Sequence, residues 1–344
     1  MSLPGKIAVI LFNLGGPDGP EAVQPFLFNL FNDPAIIGAP GPIRWALAHF
    51  ISRRRALVAQ EIYEHLGGGS PLLLNTQAQA DALEQELGGM ARVFVSMRYW
   101  HPLAGECAAE VKDYAPDHVV LLPLYPQFST TTTGSSVKDW HRAAQKVGLN
   151  VRTSTVCCYF RNNTFVKTIA DRIRLAMEGR TEVVPRVLFT AHGLPKKVIA
   201  AGDPYQWQVE RTADAIVQAV DIPVLDWVVC YQSRVGPLEW IQPYTSDILK
   251  VAGDEGKPVI VVPIGFTSEH SETLVELDIE YRELAEQAGV PEYIRINTVG
   301  ADADFIGGLA KLVASALSHD HRLSSDGGGC QCPENYQRCA FWAS

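Results

Sequence analysis

Two short segments carry side chains able to move protons or hold a cation. In the first, Phe189-Thr190-Ala191-His192-Gly193-Leu194-Pro195, a histidine stands directly after an apolar, strand-like run. In open α/β sheets ligands bind beyond the carboxyl ends of the strands, so His192 is placed to face one. Imidazole titrates near neutral pH and serves there as a general base. The plainer reading is a histidine whose ring only hydrogen-bonds its own turn. The second segment, Pro263-Ile264-Gly265-Phe266-Thr267-Ser268-Glu269-His270, also follows a strand-like run, and Ser268 suits a helix N-cap. Glu272, Glu276 and Glu280 then recur at i,i+4 spacing with no lysine between them, so three carboxylates share one stripe. Like charges so placed cost about 0.2–0.5 kcal/mol per pair. A solvated acidic face tolerates that cost. A row beginning within one turn of His270 is also the imidazole-and-carboxylate line that a divalent cation would follow.

Other segments exclude chemistries or leave two readings. Tyr63-Glu64-His65-Leu66-Gly67-Gly68-Gly69-Ser70-Pro71 is rich in glycine but follows a helical pattern and lacks Gly-Lys-Ser/Thr, so it is not a phosphate loop. No strand leads into Gly-x-Gly-x-x-Gly, which leaves dinucleotide binding unsupported. The chain has 7 cysteines: Cys330, Cys332 and Cys339 crowd one end, Cys157 and Cys158 are adjacent, and Cys107 and Cys230 sit in apolar patterns typical of core. In a cytosolic chain such a terminal cluster points to a metal site rather than to a disulfide framework.

The elements that must position these groups follow a β-then-α rhythm. Strand-like runs fall at 7–14, 93–96, 118–124, 151–156, 187–191, 224–229, 259–264 and 294–297, with helical patterns such as 76–87, 203–220, 269–288 and 301–317 between them. That alternation predicts an α/β fold of parallel sheets flanked by helices, and the eight runs divide into two four-stranded halves. A length of 344 residues fits two domains, and 47% apolar residues can fill both cores. The net charge of −9, without a strongly basic run, argues against nucleic acid as a partner. The apolar stretch 7–14 is too short for a membrane span and lacks a cleavage site, so the expectation is a cytoplasmic protein, soluble or peripheral. Residues 24–55, apolar and ending in Arg53-Arg54-Arg55, read either as a buried helical pair with a basic C-terminal cap or as a lip touching a membrane surface. Ser324-Ser325-Asp326-Gly327-Gly328-Gly329 reads as a flexible linker.

Taken in order, these segments resemble the ferrochelatases. The resemblance rests on Leu14-Gly15-Gly16-Pro17, Gly67-Gly68-Gly69-Ser70-Pro71, Arg98-Tyr99, Thr132-Thr133-Gly134-Ser135-Ser136, His192-Gly193-Leu194-Pro195, Ser233-Arg234-Val235-Gly236-Pro237 and the stretch from Phe266 to Leu274, and spans roughly residues 7 to 320. It implies two Rossmann-like domains of the chelatase fold, 1–156 with the lip 24–55 and 157–300, then a helix packing back over 301–323 and a linker and cysteine-rich tail over 324–344. It implies a porphyrin held in a cleft between the domains and a lyase that inserts ferrous iron into it in haem biosynthesis. His192 and Glu272 match the family's catalytic His–Glu pair, expected to face each other across the macrocycle, with Glu276 and Glu280 as the acidic row behind, and all four are expected to carry the ferrous iron substrate. Tyr63, Ser70, Arg98, Tyr99, Trp240, Phe266 and His270 match cleft-lining positions, and the lip reading of 24–55 gains weight.

Some family members carry a 2Fe–2S cluster on C-terminal cysteines. Here the spacing Cys330-x-Cys332-x6-Cys339 departs from the animal pattern, and the animal upstream ligand position falls near Thr168. Cys158, with Cys157 as the alternative, is the expected fourth ligand, and structural zinc is the competing occupant. Protoporphyrin IX and coproporphyrin III both remain open as substrates, as does the oligomeric state. The rival readings are a non-catalytic tetrapyrrole binder and a chelatase for cobalt or nickel.

Overall fold

The computed structural model describes residues 5–180, 184–318 and 322–342. Among the described residues the strands are β1 (Ile7–Asn13), β2 (Ala91–Met97), β3 (His118–Pro123), β4 (Arg152–Val156), β5 (Arg186–His192), β6 (Trp227–Gln232), β7 (Val259–Pro263), β8 (Tyr293–Arg295) and β9 (Leu323–Ser324). The α-helices are α1 (Val23–Phe31), α2 (Gly41–Glu64), α3 (Leu72–Glu86), α4 (Ala104–Tyr114), α5 (Thr133–Val147), α6 (Asn163–Met177), α7 (Lys196–Ala200), α8 (Tyr205–Val220), α9 (Thr245–Asp254), α10 (Tyr281–Gln287) and α11 (Ala303–Ser318). A π-helix, Glu272–Glu280, runs directly into α10.

Each of the eight strand-like runs contains a strand, although β6 begins only at Trp227, after the exposed Val224, and β8 ends at Arg295; the most apolar runs do so because parallel strands bury both faces. Every residue of β1, β3 and β7 is buried. The strands form two all-parallel sheets, ordered β2-β1-β3-β4-β9 and β6-β5-β7-β8. In the first, Ile10, Phe12, Phe94 and Leu121 pack under Trp140 of α5 and Ala108 and Val111 of α4. In the second, Leu188, Val259 and Val261 pack against Leu249, Leu277 and Ala285. Local signals set helix starts: the Asn162 side chain accepts from the Thr164 and Phe165 amides and caps α6, worth about 1 kcal/mol.

The chain divides into two compact units, Met1–Cys158 with Leu309–Gln331, and Tyr159–Gly308 with Cys332–Ser344. Residues 1–4, 181–183, 319–321 and 343–344, which the sequence-based domain ranges also cover, lie outside the described residues.

Three expectations are corrected. The first sheet has a fifth strand: β9 pairs with the end of β4, the Cys157 amide donating to the Ser324 carbonyl at 2.8 Å. An unpaired sheet edge recruits such a segment by its backbone groups alone, so two residues suffice. The segment read as a linker is accordingly ordered where it begins, with Ser324 and Ser325 buried and the Ser325 hydroxyl donating to the Gly329 carbonyl. Finally, α2 continues past Arg53-Arg54-Arg55 to Glu64, so those arginines lie mid-helix and cap nothing.

Candidate active site

The second sheet reverses its winding between β5 and β7, the switch point where open α/β sheets bind ligands. His192 is the last residue of β5 and stands at that edge. Gly193 follows because a Cβ there would lie 3.1 Å from the Gln232 carbonyl oxygen and 3.3 Å from the Trp240 ring. The Tyr205 hydroxyl donates to the His192 carbonyl at 3.0 Å, fixing the backbone under the ring.

His192 Nδ1 meets Glu272 Oε2 at 2.8 Å. A carboxylate accepts only, so Nδ1 carries a proton, and in the neutral ring Nε2 keeps its lone pair. Their side chains are 36% and 23% exposed, enough to be reached. Burial opposes a charged ring, but the Glu272 carboxylate and Glu276 outweigh it and raise the His192 pKa. Burial likewise favours a neutral Glu272, yet His192, His270 and the Ser233 hydroxyl hold it down, to about 2. The direct hydrogen bond corrects the expected layout: two groups 2.8 Å apart cannot face each other across a macrocycle.

The helix carrying the carboxylates is also not as expected. It starts at Glu272, with Ser271 rather than Ser268 preceding it, and is π-helical, a rare form frequent at functional sites. Ties on both sides hold it: Arg295 binds Asp278 within the helix and Glu269 just before it. The three glutamates are therefore inequivalent. Glu272 pairs with His192, whereas Glu276 accepts from the Ser233 amide at 2.7 Å, the Ser233 hydroxyl and the Gln232 side chain at 3.0 Å. Glu280 is exposed. Burial and the neighbouring Glu272 charge raise the Glu276 pKa against the Ser233 hydrogen bonds. Among the described residues no group of three or more His, Cys, Asp or Glu side chains is placed to hold a metal ion, so the row is not a preassembled cation cage.

In the same unit, the Trp240 ring stands 6.2 Å from that of His192, its Nε1 donating to the Val235 carbonyl. Phe266 packs 4.7 Å from His270, whose Nδ1 donates to the Ser268 carbonyl. Burial lowers the His270 pKa, against the pull of the nearby Glu272 carboxylate.

In the other unit, Arg98 and Tyr99 follow β2. Tyr99 is fully buried, its hydroxyl donating to Asp33 at 2.8 Å, so it is a core residue rather than a lining one. Asp33 also binds the Arg98 guanidinium at 2.9 Å and accepts from the Ser135 hydroxyl, while Arg98 Nε donates to Ser135 at 2.7 Å. Tyr63 packs with Phe26, Leu27 and Tyr99. Ser70 is anchored by its amide on the Pro17 carbonyl at 2.7 Å, and Gly16 lacks the Cβ that would strike it. Sequence reasoning missed Asp33, Gln232, Ser233 and Tyr205. Asp33 follows an apolar helix and Ser233 opens a motif, but neither position shows its partner.

Cys157, Cys158, Cys332 and Cys339 are buried and Cys330 is exposed. Beyond Cys332 the tail docks on α8: Gln208 Nε2 donates to Cys332 Sγ at 3.1 Å, Trp207 packs 5.8 Å from Tyr336, and the Arg338 amide donates to the Gly202 carbonyl. Along α2, Trp45, Phe50, Leu57 and Val58 are each more than half exposed, near Arg53 and Arg54. No helix among the described residues is long and apolar enough to cross a membrane.

Two parallel doubly wound sheets, one carrying a histidine–glutamate pair at its switch point, define a chelatase-type α/β protein. Solved structures agree on the fold: SirB from Bacillus subtilis with Fe3+ matches at TM-score 0.51 and 15% identity, over 91% of this chain and 96% of that one. The sirohydrochlorin chelatase SirB from Bacillus subtilis subspecies spizizenii, in complex with cobalt, matches at TM-score 0.53 and 14% identity, over 92% and 97%. The ferrochelatase family profile matches residues 6–317. The ferrochelatase of Caulobacter vibrioides is 52% identical over 340 residues, 97% of each chain, and that of Phenylobacterium zucineum is 53% identical over 342 residues, 97% of this chain and 98% of its own. The chain belongs to the ferrochelatase family, whose members are lyases that insert iron into a porphyrin in haem biosynthesis.

Proposed function

We propose that the porphyrin is protoporphyrin IX, giving protohaem, and that His192 takes the pyrrole protons. The hydrogen bond from His192 Nδ1 to Glu272 carries this reading, since it leaves Nε2 as the acceptor and sets an anion beside the imidazolium that forms. A free-base porphyrin resists the metal until its ring bends and two N–H protons leave. Contacts at the ring periphery supply the strain. Arg98, Tyr63, Ser70, Trp240, Phe266 and His270 are the contacting side chains in this reading, with Tyr99 holding Arg98 from beneath. Ferrous iron, the second substrate, follows the row from exposed Glu280 through Glu276 to Glu272. Anaerobic iron insertion measured with protoporphyrin IX and coproporphyrin III in parallel tests the assignment. A higher kcat/KM for coproporphyrin III reverses the substrate, and no insertion into either leaves a tetrapyrrole binder.

The exposed apolar face of α2 supports a second proposal, that residues 24–55 rest on a membrane surface. Trp45→Ser/Phe50→Ser is expected to release the protein from sedimenting anionic vesicles. Retention equal to the parent chain sinks the lip reading.

The tail thiols suit a 2Fe–2S cluster by donor chemistry alone, since among the described residues the cysteines do not stand grouped to hold a metal ion: Cys158, Cys332 and Cys339 are buried, and an amide N–H already points at the Cys332 sulfur. Cys330, Cys332, Cys339 and Cys158 (or Cys157) are the ligands in this proposal. When bound, the cluster supplies one-electron capacity and a tie that pins the tail to the body. Protein purified anaerobically is expected to be red-brown, with iron and labile sulfide in equal amounts, and Cys158→Ser to lose both. Zinc in their place, or a cluster surviving in the Cys157→Ser/Cys158→Ser variant, overturns the ligand set.

A further inference from the structure

Ser233 follows β6 directly and holds φ at +63°, a left-handed backbone that costs any residue with a Cβ. That conformation aims two donors of one residue at the π-helix. Its amide donates to Glu276 Oε1 at 2.7 Å and its hydroxyl to Glu276 Oε2 at 2.5 Å, while the same hydroxyl lies 3.3 Å from Glu272 Oε2. Glu272 Oε2 is also the atom that binds His192. One hydroxyl thus spans the carboxylate paired with the histidine and the next carboxylate in the row.

Geometry sets the order of the two acids. Glu272 Oε2 meets both His192 Nδ1 and the Ser233 hydroxyl, whereas Glu276 meets Ser233 through both of its oxygens and lies one step farther from the histidine. The titratable groups that face them are His192 on β5, His270 before the π-helix, Tyr205 on α8 and Tyr281 on α10.

We propose that the Ser233 hydroxyl is the bridge through which a proton leaves the His192–Glu272 pair for Glu276. This rests on the reading of His192 as proton acceptor. A proton that has reached Glu272 Oε2 moves to Ser233 Oγ as the Ser233 O–H proton moves to Glu276 Oε2. One serine O–H bond breaks and another forms, so the hydroxyl is regenerated. Glu272 returns to a carboxylate, Glu276 becomes a carboxylic acid, and no electrons change hands. The anion that supports imidazolium formation at His192 is thereby restored for the next proton.

Ser233→Gly is the informative variant, because it relieves the left-handed strain, keeps the amide donor to Glu276 and deletes only the hydroxyl. With porphyrin and ferrous iron under anaerobic conditions, kcat is expected to fall at least ~10-fold at unchanged porphyrin KM. The solvent deuterium isotope effect on kcat is expected to rise, a readout that a merely structural role does not move. Ser233→Gly/Glu276→Gln is expected to be no slower than Glu276→Gln alone, since both lie on one path. Parent kcat and isotope effect in Ser233→Gly, with Glu272→Gln crippled in the same assay, overturn the bridge and leave the base assignment standing. Parent turnover in Glu272→Gln removes the pair itself and overturns both.

Discussion

Glu272→Gln is expected to lower kcat/KM roughly 10²- to 10⁴-fold and to move the acid limb of its pH profile to lower pH. The competent base is neutral His192, so the rate falls as pH drops through the His192 pKa of the free enzyme. In the parent chain that pKa lies above the usual 6.5, because the Glu272 carboxylate, with Glu276, outweighs burial. Glutamine keeps the shape and removes the charge. Burial then acts with less opposition and the pKa falls. The plateau drops as well, since the imidazolium formed on proton transfer loses the anion that stabilises it. An acid limb at the parent position shows that Glu272 does not set the His192 titration, and a parent-like plateau removes it from the chemistry.

His192→Ala is expected to abolish turnover to within the same range, roughly 10²- to 10⁴-fold, while the porphyrin still binds and quenches tryptophan fluorescence. The separation is expected because Trp240 is held by its own hydrogen bond to the Val235 carbonyl and by the backbone bridge between Pro195 and Trp240, neither of which uses the imidazole. The His192 side chain is 36% exposed and its backbone is tied independently by Tyr205, so the fold does not depend on the ring. Near-parent turnover in His192→Ala moves the proton acceptor elsewhere. Lost binding together with lost turnover makes His192 a porphyrin contact first.

The buried Asp33 gives the other unit a comparable dependence on one acid. It ties the turn after α1 to Arg98, Tyr99 and Ser135 through hydrogen bonds and an ion pair, so the segment leading into α2 and the residues after β2 share an anchor. Burial, followed by the Asp33 charge, raises the Tyr99 pKa and keeps its hydroxyl a donor. Arg98 is thus already ion-paired with Asp33 and Asp139 before any substrate carboxylate arrives, and its use as a periphery contact depends on the hydrogen-bonding capacity left on its guanidinium.

Much of the fold was legible in the chain. Continuous apolar runs such as 7–13 and 259–263 are strands because a parallel sheet buries both faces, and that demand is written into consecutive residues. The place of His192 just past such a run followed for the same reason, as did the ordered motifs that mark the family. What the sequence could not determine depends on neighbours distant along the chain. His192 and Glu272 are 80 residues apart, and whether they pair directly or oppose each other is set by how β5 and the loop after β7 pack. The i,i+4 spacing of the glutamates is the same for an α-helix and a π-helix, and Arg295, Ser233 and Gln232 hold the wider form from outside it. Tyr99 looks like a lining aromatic until Asp33, 66 residues away, is seen to hold its hydroxyl in the core. The two-residue β9 has no periodicity to detect and exists because the edge of β4 has backbone groups to satisfy. Local residue patterns determined which segments become strands and where the chemistry-bearing side chains emerge. Tertiary packing decided which of those side chains touch, and therefore which are charged, which are buried and which can pass a proton.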